Sequence, residues 1–306
     1  MLVGVVAIFV CDMHSDSLTF SEREPLMRRY NHPKREPWLI FFAHFVPKRN
    51  LSPQIRREKL MNMHKRYLSL IEKEGITPIL GIDDIGCSDA HSLFSIEGGG
   101  GLFADSPELT SLYASGLRVL GMAWDKNELC ASSNEVGADD YGLTRKGREL
   151  AKKCSELGII LDTSHMSDRA FFGLVGTVET PIVATHSNFR GVCQSNRNLT
   201  DDMALIIKER GGLVGLNLYP PHLLCGGAAS VYDIQRHIDY GLSLLGEDSI
   251  ALGLDIDGTG GKYPRGISTA HSIHDKLLNL LLSEYPERTV RKIAGENVLG
   301  FLSRAL

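Results

Sequence analysis

The chemistry of this chain begins at Cys11-Asp12-Met13-His14-Ser15-Asp16, where an apolar N-terminal run meets a histidine and a carboxylate two residues apart. In extended backbone the side chains at i and i+2 point to one face, so His14 and Asp16 converge on a single point. An imidazole beside a carboxylate is a metal-ligand pairing, although His-x-Asp alone recurs by chance. Four later segments carry candidates in the same setting, at the end of an apolar run. They are Ser95-Ile96-Glu97-Gly98-Gly99, Leu161-Asp162-Thr163-Ser164-His165, Ala184-Thr185-His186-Ser187 and Leu254-Asp255-Ile256-Asp257-Gly258. Together His14, Asp16, Glu97, His165 and His186 exceed the roughly four ligands that one Zn2+ takes. The surplus points to two ions about 3.5–4 Å apart that share a carboxylate, and Glu97 has two oxygens to share. Asp255 and Asp257 are candidates for the base or proton shuttle that serves water activated at such ions. Spacing puts both on one face and does not choose between them. Asp162 suits a supporting role in the loop to His165 rather than ligation. The remaining histidines, His222 and His237 among them, read as structural.

Residues so far apart meet only if the fold gathers the ends of separate strands. Apolar, β-branched runs occur at residues 5–10, 39–46, 92–96, 117–123, 159–162, 181–185, 212–218 and 249–254. Their near-continuous apolar character fits parallel strands buried on both faces. Helical patterns alternate with them. Ser52-Pro53 and Ser106-Pro107 put a capping Ser before a Pro at the first helical position, and Thr200-Asp201-Asp202 is a further start signal. Gly75, Gly116, Gly158, Gly211 and Gly246 follow helical patterns as C-terminal caps do. Eight such repeats predict an α/β fold, a (β/α)8 TIM-type barrel, as a single domain over residues 1–306. In that barrel every C-terminal strand end opens on the same face, and the loops there build the site.

Composition removes several function classes. The 306 residues carry a net charge of −4, with no basic face for nucleic acid. The six cysteines lack C-x-x-C spacing and are expected to be free thiols in a reducing compartment. The apolar start has neither a basic leader nor a small-residue cleavage site, and no apolar run is long enough to span a bilayer. A cytoplasmic protein with no membrane span is the expectation.

The ordered set of motifs resembles the membrane (renal) dipeptidase family of zinc peptidases, within the amidohydrolase superfamily. It comprises the segments above together with Gly142-Leu143-Thr144, Met166-Ser167 after His165, and Arg197-Asn198-Leu199-Thr200-Asp201-Asp202. The resemblance covers essentially the whole chain. It implies a binuclear zinc centre with His14 and Asp16 on one ion, His165 and His186 on the other, and Glu97 bridging. It also implies Asp255 as catalytic acid/base and Arg197 as the holder of the substrate's C-terminal carboxylate, which a guanidinium fork matches. Three departures stand out. Trp124 takes the place of a histidine at the end of the fourth strand, and an indole donates one hydrogen bond but does not titrate; Trp124 serves equally as a wall of the substrate pocket. Gly100-Gly101 after the Glu97 motif widens that corner. Tyr240 replaces a second family histidine after His237. The implied activity is hydrolysis of dipeptides, with D-residues tolerated on the C-terminal side, and the family often forms homodimers. The alternatives are an amidohydrolase acting on an N-acyl amino acid or lactam, and a metal- or peptide-binding protein of weak activity.

Overall fold

The structure, a computed structural model, describes residues 8–19, 37–47, 51–85, 90–103, 107–267 and 273–306. Eight strands form the ring: β1 (Val10–Ser15), β2 (Trp38–Phe45), β3 (Ala90–Glu97), β4 (Leu117–Gly121), β5 (Ile160–Asp162), β6 (Ile182–Val183), β7 (Val214–Leu216) and β8 (Ile250–Leu252). They pair in parallel in the order β6-β5-β4-β3-β2-β1-β8-β7, and a two-residue strand, Thr77–Pro78, adds to β3 outside that path. The two ends of the path meet through the parallel bridge Ala184–Val214, where Ala184 N donates to Leu213 O at 3.0 Å and Gly215 N donates to Ala184 O at 2.8 Å. The expected (β/α)8 barrel is thus closed. Closure needs close backbone approach: a Cβ on Gly215 would lie 2.0 Å from Thr185 O, and one on Gly253 would lie 1.8 Å from the same oxygen.

One apolar cluster draws a residue from or beside every strand, including Met13, Phe41, Leu93, Val119, Ile160, Val183, Leu213 and Ala251. It fills the barrel interior, and Val298, Phe301 and Leu302 of the helix Asn297–Ala305 plug one end. The alternate residues of the strands pack outward on the helices. Helix starts agree with the sequence signals at Ser52, whose side chain accepts from Ile55 N, and at Thr200, which accepts from Met203 N. Gly158 ends the helix Arg145–Leu157 with φ of 77°. Ser106 lies outside the described residues, and Pro107 caps the helix Glu108–Ala114 rather than opening it.

Two expectations are corrected. The first strand runs over Val10–Ser15, not residues 5–10, of which 5–7 lie outside the described residues. Asp12 and His14 read as the end of a strand because they are polar. They are buried within it, where Asp12 Oδ1 accepts from Leu254 N at 2.8 Å and from His14 N at 3.2 Å, and Asp12 Oδ2 faces His274 Nε2 at 3.3 Å. The cysteines are not all free thiols either. Cys193 and Cys225 form a disulfide, which removes the basis for expecting a reducing compartment; Cys11, Cys130 and Cys154 are buried free thiols, and Cys87 lies outside the described residues. Among the described residues no helix is long and apolar enough to cross a membrane.

His44 on β2 and His64 on the helix Pro53–Glu74 meet between the barrel and that helix with ring centroids 5.4 Å apart, and His64 stacks on Phe94 at 4.2 Å. Burial pushes His64 down to about 4; burial and the neighbouring His64 push His44 down to about 3. Between those values and the ordinary imidazole value of about 6.5 the unfolded chain binds more protons than the folded one, so stability falls as pH drops through this window. His64→Leu is expected to flatten the decline in melting temperature from about pH 6.5 to about pH 4. Thermal unfolding in excess chelator reads this without interference from metal release, and identical slopes for variant and wild type would contradict the neutral pair.

Candidate metal centre

Each ligand-type side chain reaches the barrel mouth by a different backbone device. On β1 the register against β2 shifts between Asp12 and Ser15, since Asp12 pairs with Ile40 and Ser15 with Phe42. This bulge adds a residue, breaks the strict alternation after Met13 and re-aims His14. Glu97 is the last residue of the long, regular β3, paired with Phe45. His165 has φ of 66°, and Asp255 and Asp257 have φ of 59° and 70°. Left-handed backbone costs such residues roughly 1–3 kcal/mol and persists where the surroundings impose it.

Glu97 organises the cluster. Its Oε1 lies 2.9 Å from His165 Nε2 and 3.2 Å from His186 Nε2, and those two nitrogens are 3.0 Å apart. Its Oε2 lies on the other side, 3.8 Å from His14 Nε2, which is itself 3.5 Å from Asp16 Oδ2 and 3.9 Å from Asp255 Oδ1. The His14 and His186 rings stack with centroids 3.6 Å apart. Three overlapping sets, Glu97 with His165 and His186, His14 with Asp16 and Glu97, and His14 with His186 and Asp255, each bring their ligand atoms within 4.8 Å of one another.

Charge explains what this arrangement lacks. Burial raises the Glu97 carboxyl well above its ordinary value, and the carboxylates of Asp16 and Asp255 raise it further. Asp255 is pushed up to about 7, first by burial and then by Asp16, with His14 and Arg197 pulling the other way. Burial alone would hold His14 neutral, but Glu97, Asp16 and Asp255 outweigh it and lift the imidazole to about 10. His165 and His186 are held far below the usual range, mainly by burial and then by Arg197 and His14, so their nitrogens are available as lone-pair donors. A buried trio of carboxylates beside imidazole lone pairs is the donor set of a divalent cation. Space agrees: a Cβ on Gly258 would fall 1.9 Å from Asp255 Oδ1 and 2.4 Å from Asp16 Oδ2, so only glycine leaves this corner open. The residues fit a divalent metal at this donor set.

The supporting shell fixes ligand orientation. His186 Nδ1 donates to Thr185 Oγ1 at 2.8 Å, and Thr185 Oγ1 donates to Asp162 Oδ2 at 2.6 Å. Asp162 Oδ1 in turn accepts from Ser164 N and Thr185 N, both at 2.9 Å. This relay puts the His186 proton on Nδ1 and turns the Nε2 lone pair to Glu97. Asp162 therefore supports rather than ligates, in line with its sequence reading.

The structure also separates the two aspartates that spacing left together. β8 ends at Leu252, and both residues lie beyond it in left-handed backbone, so strand alternation does not apply. Asp255 Oδ1 faces His14, while its Oδ2 accepts from Asn217 Nδ2 at 3.2 Å. Asp257 Oδ2 accepts from Ser17 Oγ at 2.6 Å instead.

A cavity of about 660 Å³ opens over the cluster. Arg197 and Trp124 both line it. The buried Arg197 donates from Nη1 to Ser187 Oγ at 2.6 Å and from Nη2 to His186 O at 2.8 Å, which ties the guanidinium to a ligand-bearing segment. The sequence reading missed Tyr219 and His222, which line the cavity, and Asn217, which holds Asp255. The signal was Asn217-Leu218-Tyr219, polar and aromatic residues that directly follow the apolar run of β7. His222 thus belongs to the cavity and not with the structural histidines. His237 does belong among the latter, accepting from Phe189 N and bonded through Nε2 to Leu223 O. The disulfide Cys193–Cys225 and Asn198, whose Nδ2 donates to Cys193 O and His222 O, lace the Arg197 loop to the Tyr219–His222 loop.

A parallel barrel with this donor set at the C-terminal strand ends is the architecture of metal-dependent hydrolases. The family model for membrane dipeptidase (Peptidase family M19) matches residues 39–305, and the chain belongs to that family, among the metallopeptidases. The match begins after β1, so His14 and Asp16 precede it. A Klebsiella pneumoniae protein described as "Uncharacterized protein in pqqA 5'region" is 34% identical over 216 residues, covering 68% of this chain and 79% of that one. Human dipeptidase 3 is 26% identical over 247 residues, 79% of this chain, and the alignment spans 50% of its own length. A metallopeptidase from Rhodobacter sphaeroides, solved with a phosphinate mimic of the dipeptide L-Ala-D-Ala, superposes with a TM-score of 0.85 at 26% identity over 98% of this chain and 100% of that one.

The Asp162–Thr185–His186 relay yields a direct test. Thr185→Val removes the hydroxyl while keeping the backbone bond to Asp162, and is expected to weaken metal affinity about 10- to 100-fold, with Thr185→Ser close to wild type. Chelator competition measures it; unchanged affinity in Thr185→Val would show that the relay does not set the ligand.

Proposed function

We propose that this protein is a binuclear zinc dipeptidase that hydrolyses short peptides with a free C-terminal carboxylate. The observation that carries the reading is the division of Glu97, with Oε1 toward His165 and His186 and Oε2 toward His14, in the cavity that holds Arg197. His14 and Asp16 would hold one ion, His165 and His186 the other, with Glu97 bridging. When bound, two such ions polarise the scissile carbonyl and lower the pKa of water at the site.

The chain's own groups do the rest. The guanidinium of Arg197, fixed by Ser187 and His186 O, pairs with the substrate carboxylate and sets its distance from the cluster. This limits substrates to peptides whose carboxylate is one residue from the scissile bond. Asp255 is the carboxylate that exchanges a proton with the reacting groups. Anchored by Asn217, it presents Oδ1 to the reacting centre, takes the proton from the attacking water and passes it to the leaving nitrogen. The ligand seen in the Rhodobacter sphaeroides enzyme supports L,D-dipeptides as a substrate class. Pairing of two chains in a homodimer belongs to the same proposal.

Three measurements test this. Purified zinc-loaded protein is expected to cleave L,L- or L,D-dipeptides in preference to N-acyl amino acids and lactams. Asp255→Asn is expected to lower kcat by about 100-fold or more with metal content intact. Arg197→Lys is expected to act mainly on KM, since a point charge replaces a bidentate fork. Turnover of N-acyl amino acids without dipeptides, or an unchanged kcat in Asp255→Asn, would overturn the assignment.

A further inference from the structure

The cavity has two unlike halves. The loops after β6, β7 and β8 bring Arg197, Tyr219, His222 and Lys262, whereas those after β2 and β4 bring Phe45, Pro47 and Trp124. In a closed ring ordered β1 to β8, these two sets of strands face each other across the mouth. The first side carries the cations Arg197 and Lys262 together with the carboxylates of Asp255 and Asp257; the second carries the apolar wall of Phe45, Pro47 and Trp124, with Ser133 and Asn134 farther along the loop after β4.

The wall is built in register with the bridging carboxylate. Phe45 is the ladder partner of Glu97 on β2. On the other flank Gly99 N donates to Gly121 O at 3.0 Å and Gly100 N donates to Met122 O at 3.2 Å, which fixes the end of β4 against the residues after Glu97. The glycines there do not widen the corner, as the sequence had implied. A Cβ on Gly98 would lie 3.1 Å from Trp124 Cβ, and one on Gly100 would lie 2.7 Å from Met122 O, so the space is filled by the approach of β4. The result is a Phe45–Trp124 pair with ring centroids 4.7 Å apart at 50°, and Trp124 stands 6.3 Å from the His165 ring. Both residues are only partly buried and line the cavity.

We propose that Phe45 and Trp124 form the pocket for the side chain of the substrate's N-terminal residue and select dipeptides whose N-terminal residue is apolar or aromatic. This rests on the dipeptidase reading above. With the carboxylate held on the β6 side by Arg197 and the scissile carbonyl over Glu97, the chain runs across the mouth and its N-terminal residue arrives between β2 and β4. An apolar side chain there leaves water for the faces of two rings; an acidic one loses its hydration and gains no partner from the wall.

The test is kcat/KM on Phe-Ala, Leu-Ala, Gly-Ala and Asp-Ala for the wild type, Trp124→Ala and Trp124→Phe, with zinc content measured alongside. The wild type is expected to favour Phe-Ala and Leu-Ala over Gly-Ala and Asp-Ala by about tenfold or more. Trp124→Ala is expected to bring that ratio toward one with zinc retained, and Trp124→Phe to keep most of it. Phe45→Leu is a second probe, expected to lower the Phe-Ala to Leu-Ala ratio. A wild type without preference, or one favouring Asp-Ala, would overturn the proposal while leaving the dipeptidase reading in place. So would a Trp124→Ala variant that slows all four substrates equally. Cleavage of none of the four would overturn the dipeptidase reading and this one together.

Discussion

Three carboxylates and three imidazoles share one buried volume at the mouth of this barrel, and the carboxylate of Glu97 stands between the two halves of the set. Without further positive charge, Glu97 and Asp255 resist ionisation and His14 takes up a proton. Divalent cations held by this donor set would reverse that balance. Bound cations are the largest local charges in any such site and set the titration of everything around them. Arg197, buried and tied to His186 O, adds the one guanidinium that lines the cavity over this cluster.

The scaffold is organised to keep this cluster from relaxing. β3 delivers Glu97 at the end of eight buried residues whose pairing with β2 is unbroken. The other groups need deviations: a bulge before His14, left-handed backbone at His165 and Asp255, and the Asp162–Thr185 relay behind His186. The narrow seam between β6 and β7 depends on Gly215, and Gly253 allows β8 the same close approach to Thr185 O. Of the cavity-lining residues, Arg197, Tyr219 and His222 lie on segments held by side chains and by the Cys193–Cys225 disulfide, whereas Phe45 is held by strand pairing. Such loops position recognition groups while the barrel keeps the ligands fixed.

Much of this was legible in the sequence because the ligand-type residues stand beside apolar runs, and a closed barrel makes strand ends converge whatever their separation. The (β/α)8 order, and the meeting of His14, Asp16, Glu97, His165, His186 and Asp255, follow from that reasoning. It went astray where tertiary contacts override local signals. Asp12 and His14 looked like a strand end because the partners that bury Asp12, Leu254 N and His274, are more than 240 residues away in the chain. Asp255 and Asp257 looked equivalent because left-handed backbone is invisible in a two-residue spacing. Gly100 looked like open space because its neighbour, Met122 O, comes from another strand. His222 looked structural because only the fold brings the β7 loop over the cavity.

The central claim is that two ions sit on opposite sides of Glu97. A crystal of the zinc-loaded protein measured at the zinc absorption edge tests it most directly. The account predicts two anomalous peaks about 3.5–4 Å apart, one bounded by His14 and Asp16 and the other by His165 and His186, with a Glu97 oxygen toward each. A single peak with Glu97 turned to one side, or peaks away from these residues, would contradict it.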